Sequence, residues 1–159
     1  MPIALHAMGL LERIRSSLRS RPRPIDRLAT IAAGYESLAA ALERHHALCR
    51  LGAIRDELRR LAAETAAQAA MIRGLSLARG ITPAPAAPPA PNGANNWARL
   101  SGDLAAQLSL YRETLRALAE LEGGDPELAA RLRLFAATED RNLGALRRLA
   151  LLCDPLALD

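Results

Sequence analysis

Lysine is missing from this chain altogether: all 21 of the cationic residues among its 159 are arginine. Valine is absent as well, isoleucine is scarce and aromatics make up 3%. The residues that favour pleated strands are therefore nearly gone. Half of the chain is nonetheless apolar, and alanine and leucine, both strong helix formers, supply most of it. An all-α protein is the expected class. The two cysteines, Cys49 and Cys153, are too few and too distant for a disulfide framework or a metal knuckle. Their places at the edges of apolar stripes suit buried free thiols. No apolar run approaches the ~20 residues that span a bilayer. Met1 to Leu11 lacks the charged-then-apolar order of a secretory signal, so a cytoplasmic protein is expected. Glycine-rich phosphate loops, nucleophile elbows and Cys-x-x-Cys pairs are also missing. The lysine-free, Ala- and Arg-rich usage fits GC-rich, bacterial coding and carries no argument about function.

What charge there is has an uneven distribution. The formal net charge is +4. Residues 1–24 hold Arg13, Arg15, Arg19, Arg21 and Arg23 against Glu12 alone, whereas the rest of the chain balances 16 Arg with 16 acids. The excess belongs to the N-terminal segment, and the remainder reads as a surface laced with ion pairs. A nucleic-acid binder spreads its basic patch over the fold and interleaves aromatics, so no nucleic-acid partner is expected.

At this length one domain with a real core is expected. Residues 1–24 read as a basic amphipathic helix, with Leu10, Leu11, Ile14 and Leu18 on one side, broken by Arg21-Pro22-Arg23-Pro24. Residues 25–159 read as one four-helix bundle. The first helix runs from about Pro24 or Asp26, with Asp26 as a candidate N-cap, to Cys49. The second runs from about Ala53 to Ala78. A linker over 80–95 follows, rich in proline and alanine, whose proline density excludes helix and packed sheet. The third helix starts near Asn96 or Trp97. Asp125-Pro126 caps and opens the fourth, which runs to about Leu152. Two hairpins joined by one long crossover imply a ferritin-like bundle rather than a simple up-down-up-down one.

Four apolar stripes carry this reading. The first helix offers Leu28, Ile31, Tyr35, Leu38, Leu42, His45 and Cys49, and the third offers Leu100, Leu104, Gln107, Tyr111, Thr114 and Leu118. The other two match each other: Leu58, Leu61, Thr65, Gln68, Ile72, Leu75 recurs 74 positions later as Leu132, Phe135, Glu139, Asn142, Leu146, Leu149. Spacings of three and four put each set on one helix face. Tyr35 and Tyr111 also hold similar places, so a duplicated helical hairpin is the simple account. Both matched stripes are interrupted by a polar pair. Burying an unpaired amide costs about 1–3 kcal/mol and a lone carboxylate more, which marks these pairs as a site or the remains of one.

The stretch Leu61-Ala-Ala-Glu64-Thr65-Ala-Ala-Gln68-Ala-Ala-Met-Ile72 resembles the second helix of rubrerythrin-like proteins of the ferritin superfamily. Ala137-Thr-Glu139-Asp-Arg-Asn142-Leu143 resembles their fourth. The resemblance implies Glu-x-x-His on each of these helices and a further Glu on the first and third, together holding two metal ions. Here Thr65 and Gln68 stand where the first Glu and His would be, and Asn142 replaces the second His beside Glu139. Near the other two positions stand Tyr35 with Glu36, and Gln107 and Tyr111 with Glu113 to one side. Amides bind iron or manganese poorly beside carboxylate and imidazole. The resemblance thus implies a degenerate centre, a polar core of Tyr35, Glu36, Thr65, Gln68, Gln107, Tyr111, Glu139 and Asn142 with no cofactor. The expected function is a non-catalytic binding or interaction protein. Two alternatives stay open: a divergent iron- or manganese-dependent oxidase or ferroxidase built on Glu36, Glu139 and Glu113, and a helical export or assembly chaperone. The segment with Arg13, Arg15, Arg19, Arg21 and Arg23 is the candidate contact for a protein partner, a second copy or an anionic membrane surface.

Overall fold

A computed structural model describes residues 24–82, 84–88 and 93–154. The basic segment and its five arginines lie outside the described residues. Four helices account for the described fold, and no strand occurs among the described residues. They are α1 (Pro24–Leu48), α2 (Gly52–Leu77), α3 (Asn96–Leu121) and α4 (Pro126–Leu152). No helix of the described residues is long and apolar enough to cross a membrane.

The ends follow local chemistry. Asp125 Oδ1 accepts from the Leu128 amide at 3.0 Å and Pro126 occupies the first turn. Pro126 fits there because the amide it lacks would have no helical partner. Asn95 caps α3 by accepting from the Ala98 amide at 2.8 Å. Asp26 is not the N-cap expected of it. Helix α1 already opens at Pro24, and Asp26 lies in the first turn, where its charge faces the positive end of the helix dipole. Helix α2 closes on Gly80, whose φ of 71° is cheap only without a Cβ, and the Ile81 amide returns to the Ser76 carbonyl at 3.0 Å. Beyond it, residues 81, 82 and 84–88 form no regular structure.

Ion pairs give the helix directions. Arg27, at the start of α1, reaches Glu113 and Glu120 near the end of α3 at 3.4 and 3.2 Å. Arg79, just past α2, reaches Asp125 at the head of α4 at 2.8 Å. At the other end of the molecule, His45 near the close of α1 meets Asp103 near the start of α3. Helices α2 and α3 therefore run parallel to each other and antiparallel to α1 and α4, and the crossover must travel the length of the bundle between them. Helix α1 packs against both α2 and α3, α3 against α4, and α2 and α4 touch only lightly.

The core is aliphatic. Every member of the expected α1, α2 and α4 stripes is buried. Helix α3 differs. Its buried residues are Leu100, Asp103, Gln107, Thr114, Ala117 and Leu121, with Leu104, Tyr111 and Leu118 only partly covered. Its inward face is rotated by about one position from the expected stripe because α3 must serve two neighbours. It meets α1 through Asp103 and Leu110, and α4 through Gln107. Gly34 allows the α1 approach: a Cβ there would collide with the Leu110 side chain.

Candidate functional site

The polar pairs of the matched stripes converge in mid-bundle. Glu139 is fully buried, as are Tyr35, Thr65 and Gln107, while Asn142 and Gln68 are nearly so. Gln107 Nε2 donates to Glu139 Oε2 at 3.0 Å, joining α3 to α4. The Tyr35 hydroxyl of α1 and the Gln68 amide of α2 lie close enough to favour the ionised form of Glu139, yet neither completes a well-formed hydrogen bond. Thr65 and Asn142 lie one helical turn from Gln68 and Glu139 on the same buried faces of α2 and α4. All four helices thus contribute to one polar layer.

Its ionisation follows from burial. Desolvation pushes the Glu139 carboxyl above the usual carboxylate range, against smaller opposing contributions from Gln107, Tyr35 and Gln68. Tyr35 is pushed above the normal phenol range, first by burial and then by the charge of Glu139. Its ring is held edge-on against Phe135, with centroids 5.1 Å apart. Seven buried atoms in the layer lack a hydrogen-bond partner: Tyr35 Oη, Thr65 Oγ1, both ends of the Gln68 amide, Gln107 Oε1, Glu139 Oε1 and Asn142 Nδ2. Donors and acceptors are both present in that set, so modest side-chain rotation or bridging water can join them.

The remaining sequence candidates do not join this layer. Glu36 is half-buried and forks with Arg73 of α2, with Glu36 Oε2 accepting from Nη2 at 2.6 Å. Glu113 is held by Arg27 and Arg116 at the α1–α3 edge. Tyr111 is half-buried and lies near Tyr35 without entering the layer. The structure brings Tyr35, Gln68, Gln107 and Glu139 together, buries Thr65 and Asn142 on the same two stripes, and leaves Glu36 and Glu113 on arginine partners elsewhere. The three acids named for an oxidase are thus on separate partners. Among the described residues, no three of His, Cys, Asp and Glu form a group that could hold a metal ion. One carboxylate among amides and hydroxyls does not fit the four carboxylates and two imidazoles of the di-metal centre that the resemblance implies.

Sequence reasoning missed a second buried polar pair. His45 Nδ1 and Asp103 Oδ2 are 2.6 Å apart, with the residues 5% and 4% exposed. A carboxylate only accepts, so Nδ1 carries the proton between them. His45 stood on the α1 stripe. Asp103 was hidden because the alternative spacing through Leu104 offered larger apolar residues. The neighbouring His46 is unrelated to this pair: its Nε2 accepts from Arg59 Nε at 3.3 Å.

No protein-family model matches the chain, and no curated protein matches it at a significant level.

Proposed function

We propose that this chain is a ferritin-like four-helix bundle, built from a duplicated helical hairpin, whose di-metal centre has given way to a polar layer, and that it acts as a binding or interaction protein. One observation carries the reading: Glu139 meets a neutral amide, Gln107, where a metal-binding bundle would set further carboxylate and imidazole. The down-up-up-down course with one long crossover supports the ferritin-like part of it. The separation of Glu36 and Glu113 from Glu139, each with its own arginine, weighs against the oxidase alternative. The interaction role leans on the basic N-terminal segment, the chain's only concentration of unbalanced charge. A protein partner, a second copy or an anionic lipid surface would meet it there.

The test is the metal content of protein from iron- and manganese-supplemented cells, with Glu139→Gln alongside. The expected result is far less than one ion per chain in both. Near-stoichiometric metal that disappears in the variant would overturn the reading and make Glu139 a ligand of a working centre.

A further inference from the structure

A cavity of about 390 Å³ lies between α1 and α3, with Ala87 and Gly93 of the crossover at its border. It is distinct from the polar layer: His45, on its wall, is ten residues along α1 from Tyr35, about 15 Å at 1.5 Å per residue. Its space comes from small side chains, since Ala41 of α1 and Gly102 and Ala106 of α3 line it and a Cβ at Gly102 would meet nothing within 4 Å. Its volume is within the range of small-molecule sites, which combine an apolar lining with a few placed polar groups.

Those polar groups are present and unused. His45 is nearly fully buried and lines the cavity, and its Nε2 has no partner. Asp103 fixes the ring by accepting a hydrogen bond from Nδ1–H, as a carboxylate partner does for ligand-binding histidines. Arg99, one helical turn before Asp103, also lines the cavity. Its Nη1 donates to Asn96 at 3.1 Å, while its buried Nε has no partner. An imidazolium donates from both ring nitrogens and guanidinium Nε donates always. One open ring nitrogen and one open guanidinium N–H on a single cavity wall, whose remaining lining is mostly glycine, alanine and leucine with Ser37 and Ser109, suit one planar carboxyl group with an apolar body.

We propose that this cavity binds a small monocarboxylic acid, its carboxyl group on His45 Nε2 and Arg99 Nε and its hydrocarbon part along Ala41, Gly102 and Ala106. The charges favour a monoanion. A carboxylic acid brings the one proton its contact with His45 Nε2 needs, and with that proton counted Asp103, His45, Arg99 and the ligand sum to zero. A phosphate dianion would leave excess negative charge beside the buried Asp103. An alcohol could also accept from Arg99 Nε, but only through a neutral and therefore weaker hydrogen bond.

The experiment is calorimetric titration of the full chain with straight-chain carboxylates from acetate to octanoate, each against its matching alcohol. The expected result is 1:1 binding of the medium-length acids with Kd below about 1 mM. The alcohols are expected to bind at least about tenfold more weakly, and Arg99→Gln to weaken the acids by a similar factor. Gly102→Leu should abolish binding by filling the space. A Cβ at Gly102 meets nothing within 4 Å, so that variant should fold. Absence of saturable binding, equal affinity for the alcohols, or unchanged acid binding in folded Gly102→Leu would each overturn the proposal. Arg99→Gln alone decides it should the leucine variant fail to fold, since unchanged affinity there would also overturn it.

Discussion

Glu139 and Asp103 are both buried acids, yet they are treated in opposite ways. Asp103 meets an imidazole at 2.6 Å, a partner that can carry a positive charge. Glu139 meets the amide of Gln107 at 3.0 Å, a partner that cannot. A charge-assisted bond is shorter and stronger than a neutral one, and the two distances follow that order. Glu139 therefore bears a desolvation penalty its surroundings do not offset, and its carboxyl is pushed toward the protonated form. One acid has a partner able to carry charge, and the other rests among hydrogen-bonding neutrals. A buried acid's role is thus read from its partner before its depth.

The largest effect should come from breaking the paired acid. His45→Leu keeps the apolar volume but leaves Asp103 buried without its partner. Removing one member of a buried pair costs about 3–5 kcal/mol, so a steep fall in Tm by calorimetry is expected. Double replacement, His45→Leu with Asp103→Leu, should recover most of that loss, because the cost lies in the orphaned carboxylate. A double variant as unstable as the single one would instead point to lost packing between α1 and α3.

How far these two acids could be seen beforehand differs for a physical reason. Glu139 interrupts an otherwise apolar stripe that the same spacing repeats in α2, so a polar residue in a buried row stood out at once. Three stripes out of four ran as expected because α1, α2 and α4 each had one dominant apolar arc. Helix α3 carries two candidate rows, one through Leu104, Tyr111 and Leu118 and one through Asp103, Leu110 and Ala117. Size favoured the first, but close approach to α1 at Gly34 selected the second. Glu36 shows the reverse error. It lies one residue off the stripe, which is far enough around a helix to face Arg73 at the rim instead of the centre. The helix ends at Asn95 and Asp125 were more legible, since capping is local chemistry.

A smaller effect should follow from weakening the neutral arrangement. Gln107→Leu removes the only well-formed hydrogen bond to Glu139 among the described residues and should destabilise the bundle by about 1–3 kcal/mol, the cost of leaving a buried group unsatisfied. It should also drive the Glu139 carboxyl further above its usual range, since the Gln107 bond is the largest influence opposing burial. Urea titration at several pH values would show both as a lower midpoint and a steeper decline on alkalinisation. A midpoint unchanged at all pH values would mean that Gln107 does not serve Glu139.

The smallest effect should have the opposite sign. Because burial raises the Glu139 pKa above its unfolded value, the native state holds that proton more tightly than the unfolded chain. Stability must then fall as pH rises from the unfolded carboxyl range through the raised native pKa. Glu139→Gln removes this loss. The new amide still accepts from Gln107 Nε2, and its own N–H groups can serve unpartnered acceptors such as Gln107 Oε1 and Gln68 Oε1. A gain of about 0.5–2 kcal/mol at about pH 8 is expected, the usual size for a single stabilising change. That gain should shrink toward zero as pH falls below about 4, where the wild-type acid becomes protonated in both states. A variant less stable than wild type at the alkaline end would mean the ionised carboxylate is needed at the bundle centre. Glu139 would then belong with Asp103 as a paired acid, its cationic partner still to be found.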